Sequence, residues 1–215
     1  MNTFVDAFTF MGDNLHLLLV KSLEQLELSA VALGIAIVLA LPLGLWLGHL
    51  HRGLFFASSV SNVGRALPSL VLIAFGLTIF GIGFWNNALA LVVLAVPSIL
   101  TNAYLAVDGV DRDVVEAARG MGMSERQVVT QVELPVGLPL VIAGIRIATI
   151  FVIATATIAS IAGGGGLGDV IVNQASYGLS GVVGASLYVS FLAFGAAALL
   201  GLLQRAVSPR PIPQD

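Results

Sequence analysis

Five apolar runs separated by short polar intervals organise this chain, at 28–50, 66–80, 84–107, 136–162 and 181–203. A bilayer core about 30 Å thick takes about 20 apolar residues to cross as helix, so each run is predicted to be a membrane span. The second is short and contains Pro68; with its start drawn back toward Ser61 it is placed at 63–80. Pro42 falls inside the first, where a missing N–H and a ring clash predict a kink, one that neighbouring helices can accommodate in lipid. Gly34, Ala36, Ala40 and Gly44 recur along the same run, a pattern of small residues suited to close helix contact. Apolar positions are scattered over 3–20, which predicts a short surface-lying helix within an external segment, 1–22. No internal repeat is evident. The whole of 1–215 is expected to form one all-α polytopic domain.

Composition narrows the class. Of the 215 residues, 58% are hydrophobic and 10% charged, against roughly 25% charged in a soluble domain. That inventory cannot make a water-facing surface, and a net charge of -3 argues against a nucleic-acid partner. The chain has no cysteine, which removes disulfides, thiol catalysis and cysteine-based metal sites. The first residues lack the basic start of a signal peptide, and Asp6 and Asp13 interrupt any apolar stretch there, so the mature chain is expected to begin at Met1.

Basic residues then give a direction. Arg52 and Arg65 lie between runs one and two, Arg112, Arg119 and Arg126 between three and four, and Arg205 and Arg210 after the last. The alternate intervals hold only Lys21. Because basic residues collect on the cytoplasmic side, the N-terminus is predicted outside and the C-terminus in the cytoplasm.

The one sizeable polar island, 108–135, therefore faces the cytoplasm. Asp111 can cap a first short helix with Asp113 in its opening turn, and Gly120 and Gly122 make that helix hard to continue. Ser124 with Gln127 three residues on fits a capping box for a second, and Leu134-Pro135 is expected to close it. The result is a helical elbow with Ala117, Ala118 and Met121 exposed on one side and Glu116, Arg119 and Arg126 around them. Small residues there let a partner approach the backbone. On these residues alone an ordinary loop stays open as the alternative.

Glu116-Ala117-Ala118, then Gly122, Val132, Leu134 and Pro135, resemble the EAA loop of ABC-importer permeases, with Val132 where isoleucine is usual. Further segments resemble the osmoprotectant branch of those permeases: 62–70, 107–111, 143–146 and 163–169. The resemblance implies a five-span, MetI-like type I importer fold in the bacterial cell membrane. It also implies a coupling role for Glu116, Ala117, Ala118, Gly122, Leu134 and Pro135 against the ATPase. The implied partners are two ABC ATPases that hold the ATP and magnesium, a second copy or sister permease, an external substrate-binding protein and membrane lipid. No cofactor is implied in this chain itself. The implied cargo is glycine betaine, carnitine, choline or proline betaine. Methionine-importer permeases, similar in size and also glycine-rich after the fourth span, are the alternative.

Other polar residues within the spans are candidates for the pathway. Arg146 lies in the fourth, where an ionised side chain is costly; packing against another subunit, gating at the inner end and simple anchoring by snorkelling are all open. Asn102, Thr149, Thr155, Thr157 and Ser160 could line a polar passage, although threonines also bond their own helix carbonyls. For a quaternary ammonium, aromatic faces attract without binding too tightly, and Trp46, Trp85, Tyr104, Phe151 and Tyr177 are available. Trp85 also suits a headgroup belt. The run Gly163–Asp169 invites a phosphate-loop reading, yet it lacks the Gly-Lys-Ser/Thr ending and falls on the outer side; a flexible re-entrant or gating loop fits better. His49 and His51 read as interface anchors rather than metal ligands, since no carboxylate is close in sequence. Enzyme readings fail on their motifs. Asp108-Gly109 lacks the downstream aspartates of a head-group transferase, and no Gly-x-Ser-x-Gly elbow is present.

Overall fold

A computed structural model describes residues 3–51 and 53–207, without the side chains of Leu54 and Arg65. The expectations placed on Met1, Arg52 and Arg210 lie outside the described residues. In chain order the helices are α1 (Thr3–Asp13), α2 (Leu15–His49), α3 (Leu54–Ala66), α4 (Ser69–Phe80), α5 (Phe84–Asp108), α6 (Arg112–Gly120), α7 (Glu125–Gln127), α8 (Leu134–Ala159), α9 (Gly168–Val172) and α10 (Gln174–Val207), the last broken near its start by a kink at Gly178, φ +66. A π-helical turn, Val128–Glu133, joins α7 to α8, and a 3-10 turn, Ser160–Ala162, follows α8. Among the described residues there is no strand. Among the described residues, four helical stretches are long and apolar enough to cross a membrane: α2, α5, 125–162 and α10.

The stretch expected as the second span, 63–80, falls on two helices rather than one. α3 and α4 meet at 87°, and the cause is local. Proline disfavours helical geometry in the residue before it; Leu67 is extended at φ -77, ψ 119, and Pro68 follows at φ -63, ψ 127. Pro42, by contrast, lies within an unbroken α2. The expected surface helix over 3–20 is also redrawn. α1 stops at Asp13, residues from Leu15 onward already belong to α2, and Ala7 of α1 is buried against Gly184 of α10.

α5 is the hub, with α2 on one side and α8 on another. Ala32, Ala36 and Ala40 of α2 are buried in the same cluster as Ala88, Ala95 and Ile99 of α5 and Ala148, Val152 and Ala156 of α8. Lipid is as apolar as leucine, so dehydration gives helices little reason to associate there; close van der Waals approach does. The glycines supply it. A Cβ on Gly44 would sit 2.6 Å from the Leu100 carbonyl oxygen, and one on Gly137 would run into the Ala106 carbonyl. Gly34, expected in the same contact stripe, instead faces open space.

Candidate functional site: an elbow tied to the bundle, and a cavity at the broken helix

Local sequence chemistry builds the elbow. The Asp111 carboxylate accepts from the Asp113 backbone N–H at 2.9 Å and caps α6. After Gly120 the chain reverses at Gly122, whose φ of +86 lies in the left-handed region that glycine adopts without Cβ strain. Gln127 Oε1 then accepts from the Ser124 backbone N–H at 2.8 Å, the reciprocal half of a capping box. Inside, Val110, Val115, Ala118 and Val128 form a small apolar core with Met123 and Val132 against it.

Two sequence expectations need correction here. Ala118 is not on the open face: at 2% exposure it is part of that core, because it lies three residues from Val115 on the same side of α6. Glu116, Ala117 and Met121 are exposed, as expected, together with Arg119. Leu134-Pro135 does not close the elbow either. The chain passes from α7 through the π turn into α8, with Pro135 in α8's first turn. Proline cannot donate to the turn before it, and a π turn is a known way for a continuous helix to absorb such a local misfit.

The elbow is bound to the end of α2 by charges that sequence reading did not connect. Glu133, in the π turn, is 0% exposed, and His49 Nδ1 lies 2.8 Å from its Oε2. The other ring nitrogen, Nε2, is 2.8 Å from Glu125 Oε2, to which Arg119 also donates at 3.0 Å. With both ring nitrogens facing carboxylate oxygens, the imidazolium form of His49 satisfies both at once. Glu125 lies at the elbow end of the 125–162 stretch and receives both Arg119 and His49 on the same carboxylate oxygen. His51 Nδ1 reaches Asp108 Oδ1 at 2.8 Å. His51 has φ +47, an uncommon conformation for a residue with a side chain, and this contact secures it. Both histidines thus do meet carboxylates, although among the described residues no group of three or more His, Asp or Glu is arranged to hold a metal.

At the break between α3 and α4 lies a cavity of about 380 Å³, lined by Ser69, Leu94, Pro97, Ser98, Phe151 and Thr155 among others. Phe151 presents 59% of its surface. The structure therefore brings together two of the predicted pathway residues, Phe151 and Thr155, with the hydroxyls of Ser69 and Ser98. It separates the others. Asn102 donates to the Ser98 carbonyl at 2.8 Å on its own helix, and Tyr104 is 2% exposed beside Gly44 and Gly48 of α2. Thr149 and Thr157 bond carbonyls of their own helix α8, and Ser160, in the turn that follows, bonds the Thr157 carbonyl. Arg146 packs on α10. Tyr177 meets Phe10 edge to face, Trp85 meets Phe84 in the same way, and Trp46 lies near His49.

The glycine-rich segment is clasped rather than free. Glu24 accepts from the Gly166 N–H at 2.9 Å, and Gln25 accepts from the Leu167 N–H at 3.0 Å while donating to the Ile153 carbonyl at 2.8 Å. Lys21 donates to Asp169 at 2.7 Å and Glu24 at 2.8 Å. Gly163, Gly165 and Gly166 all have positive φ, which the tight path requires. The signal that could have found this clasp is the i, i+3, i+4 spacing of Lys21, Glu24 and Gln25 on one helical face.

Comparison with known proteins fits this geometry. The family described as "Binding-protein-dependent transport system inner membrane component" matches residues 15–212. The carnitine transport permease protein OpuCB of Listeria monocytogenes is 38% identical over 207 residues, covering 95% of this chain and 94% of its own. The glycine betaine/carnitine/choline transport system permease protein OpuCB of Bacillus subtilis (strain 168) is 35% identical over 203 residues, with 94% of each covered. Among solved structures, a chain of the MetNI methionine ABC transporter in inward-facing conformations superposes with a TM-score of 0.77 at 25% identity, covering 91% of this chain and 98% of that one.

Proposed function

Because the chain belongs to the family of binding-protein-dependent transport inner-membrane components, we propose that it is the permease of an ATP-driven importer for quaternary-ammonium osmoprotectants of the glycine betaine, carnitine and choline kind. A component of this family spans the membrane several times and is non-catalytic, with ATPase and substrate-binding-protein partners. The observation that carries the cargo is the 38% identity, over 95% of the chain, to a carnitine permease. A methionine importer is the weaker reading, since the likeness to the methionine transporter is the lower one at 25%.

In this reading the N-terminus is outside and the elbow in the cytoplasm. The outward face of α6, at Glu116 and Ala117, seats in the ATPase, which holds the ATP and magnesium. Gly122 fixes the turn that presents that face, and Leu134 and Pro135 sit where the elbow becomes α8. ATP-driven closure of the motor subunits shifts the elbow, and the His49–Glu133 contact passes that shift to α2. A second permease, identical or sister, completes the passage. Phe151 offers a quaternary ammonium an aromatic face, an attraction of about 0.5–2 kcal/mol, strong enough to guide and weak enough to release. Thr155, Ser69 and Ser98 supply hydroxyls to the rest of the solute.

The test is uptake by the complex reconstituted with its ATPase and binding protein. Labelled glycine betaine, choline and carnitine should compete with one another, and methionine should not. Gly122→Leu and Glu116→Lys should each leave membrane insertion intact while separating ATP hydrolysis from uptake. Unaltered uptake in both variants would remove the coupling role.

A further inference from the structure

Neither the elbow nor the cavity accounts for Arg146. At about 100° of rotation per residue, Phe151 lies about 140° and Thr155 about 180° around α8 from it, so Arg146 belongs to the opposite side of that helix. It points instead at α10, where Gly201 leaves room: a Cβ on Gly201 would lie 3.3 Å from an Arg146 guanidinium nitrogen. Four residues further on, one helical turn, α10 carries Arg205, and the two arginines share a cavity of about 320 Å³ with Ala198, Gly201 and Leu202.

Two cations thus line one recess. Among the described residues every ion pair belongs to other groups, namely Lys21, His49, His51 and Arg119 with their carboxylates. An ionised arginine on an apolar helix calls for an anion, and none from the described chain fills this place. On α10 the recess lies within nine residues of Val207, the end of that helix, so about 14 Å at most along it, with Arg205 only about 3 Å from the end. That end of α10 is the depth at which an apolar span gives way to the headgroup layer. Its flank is apolar and open, with Leu199 and Leu202 each 62% exposed.

We propose that this recess binds the phosphate of an anionic phospholipid, with Arg146 and Arg205 as its cationic partners and an acyl chain along Leu199 and Leu202. Guanidinium matches phosphate oxygens in geometry and is more weakly hydrated than ammonium, and basic recesses between spans suit anionic headgroups. The exposed leucines select a lipid over free phosphate, because only the lipid has a tail to lay on them. The bound lipid answers the charge of Arg146 and bridges α8 and α10.

Native mass spectrometry of the full-length chain in detergent tests this, with phosphatidylglycerol and phosphatidylcholine titrated separately. The wild type should retain phosphatidylglycerol preferentially. Arg146→Gln/Arg205→Gln should weaken that retention at least about tenfold and leave phosphatidylcholine unchanged. Arg205→Gln, near the helix end, and Gly201→Leu, which fills the recess, should each weaken it too; they decide the matter if the double variant does not fold. Undiminished phosphatidylglycerol retention in the folded variants overturns the site. So does equal retention of phosphatidylcholine by the wild type. Displacement of the lipid by millimolar inorganic phosphate alone would make the recess a free-anion site and overturn the lipid assignment.

Discussion

Leucine at position 49 should damage this protein more than leucine at 49 and 133 together. His49→Leu strips a carboxylate that is 0% exposed of the N–H donor 2.8 Å away. Removing one partner of a buried pair costs about 3–5 kcal/mol, because the other is left charged without compensation. The second substitution, Glu133→Leu, removes that stranded charge. Alone, Glu133→Leu should be milder, about 1–3 kcal/mol, since His49 keeps Glu125 on its other nitrogen. A favourable coupling of up to about 3 kcal/mol is therefore expected between the two positions. For a chain of this length, about 3 kcal/mol corresponds to a shift of roughly 6–12 °C in Tm. By contrast the Arg119–Glu125 pair is exposed on both sides, and Arg119→Ala should leave stability nearly unchanged. Thermal unfolding of the four purified proteins in detergent gives the cycle, and ATP consumed per solute imported gives its functional counterpart, expected to rise in His49→Leu. Equal losses in His49→Leu and the double variant, or a Tm change under about 2 °C in the single one, would refute the idea that this pair fastens the elbow to α2.

Three further outcomes are expected. Phe151→Leu should weaken uptake of quaternary ammonium solutes by about 2- to 30-fold, the range of a lost cation–π contact, measured as KM in proteoliposomes with Vmax little changed. Gly137→Ala should destabilise by about 1–3 kcal/mol through overpacking against the Ala106 carbonyl, read as a lower Tm, whereas Gly34→Ala, in open space, should be neutral or mildly stabilising. In intact cells a membrane-impermeant thiol reagent should label Asp13→Cys and not Glu125→Cys, an assay made simple by the absence of native cysteine; the reverse pattern would invert the orientation.

What was legible in the sequence was what depends on near neighbours. The Asp111 cap, the Ser124 and Gln127 pairing and the Gly122 turn each involve residues within a few positions, and each has the predicted geometry. The apolar runs pointed to the long apolar helices α2, α5, 125–162 and α10, because crossing a bilayer takes about 20 apolar residues. The contacts that escaped are long-range. His49 and Glu133 are 84 residues apart, and Gln25 meets Leu167 across 142, so no local pattern announces either pair. Ala118 was placed outward because small residues look alike whether they admit a partner or pack inward; only its phase with Val115 separates the two. Pro68 was visible as an irregularity, but the 87° turn depends on Leu67 going extended. Leu134-Pro135 looks like a stop in sequence, and the π turn ahead of it carries the helix through.

From Glu125 to Ala162 the backbone is helical for 38 residues without a gap, about 57 Å at 1.5 Å per residue. Such a rod resists lengthening and shortening, so under the proposed coupling a thrust on its elbow end is expected to reach its other end. There it runs straight into the glycine segment that Glu24 and Gln25 hold to α2. If the elbow takes up a partner's stroke as proposed, the elbow and the glycine segment are the two ends of one helical stretch and are expected to move together.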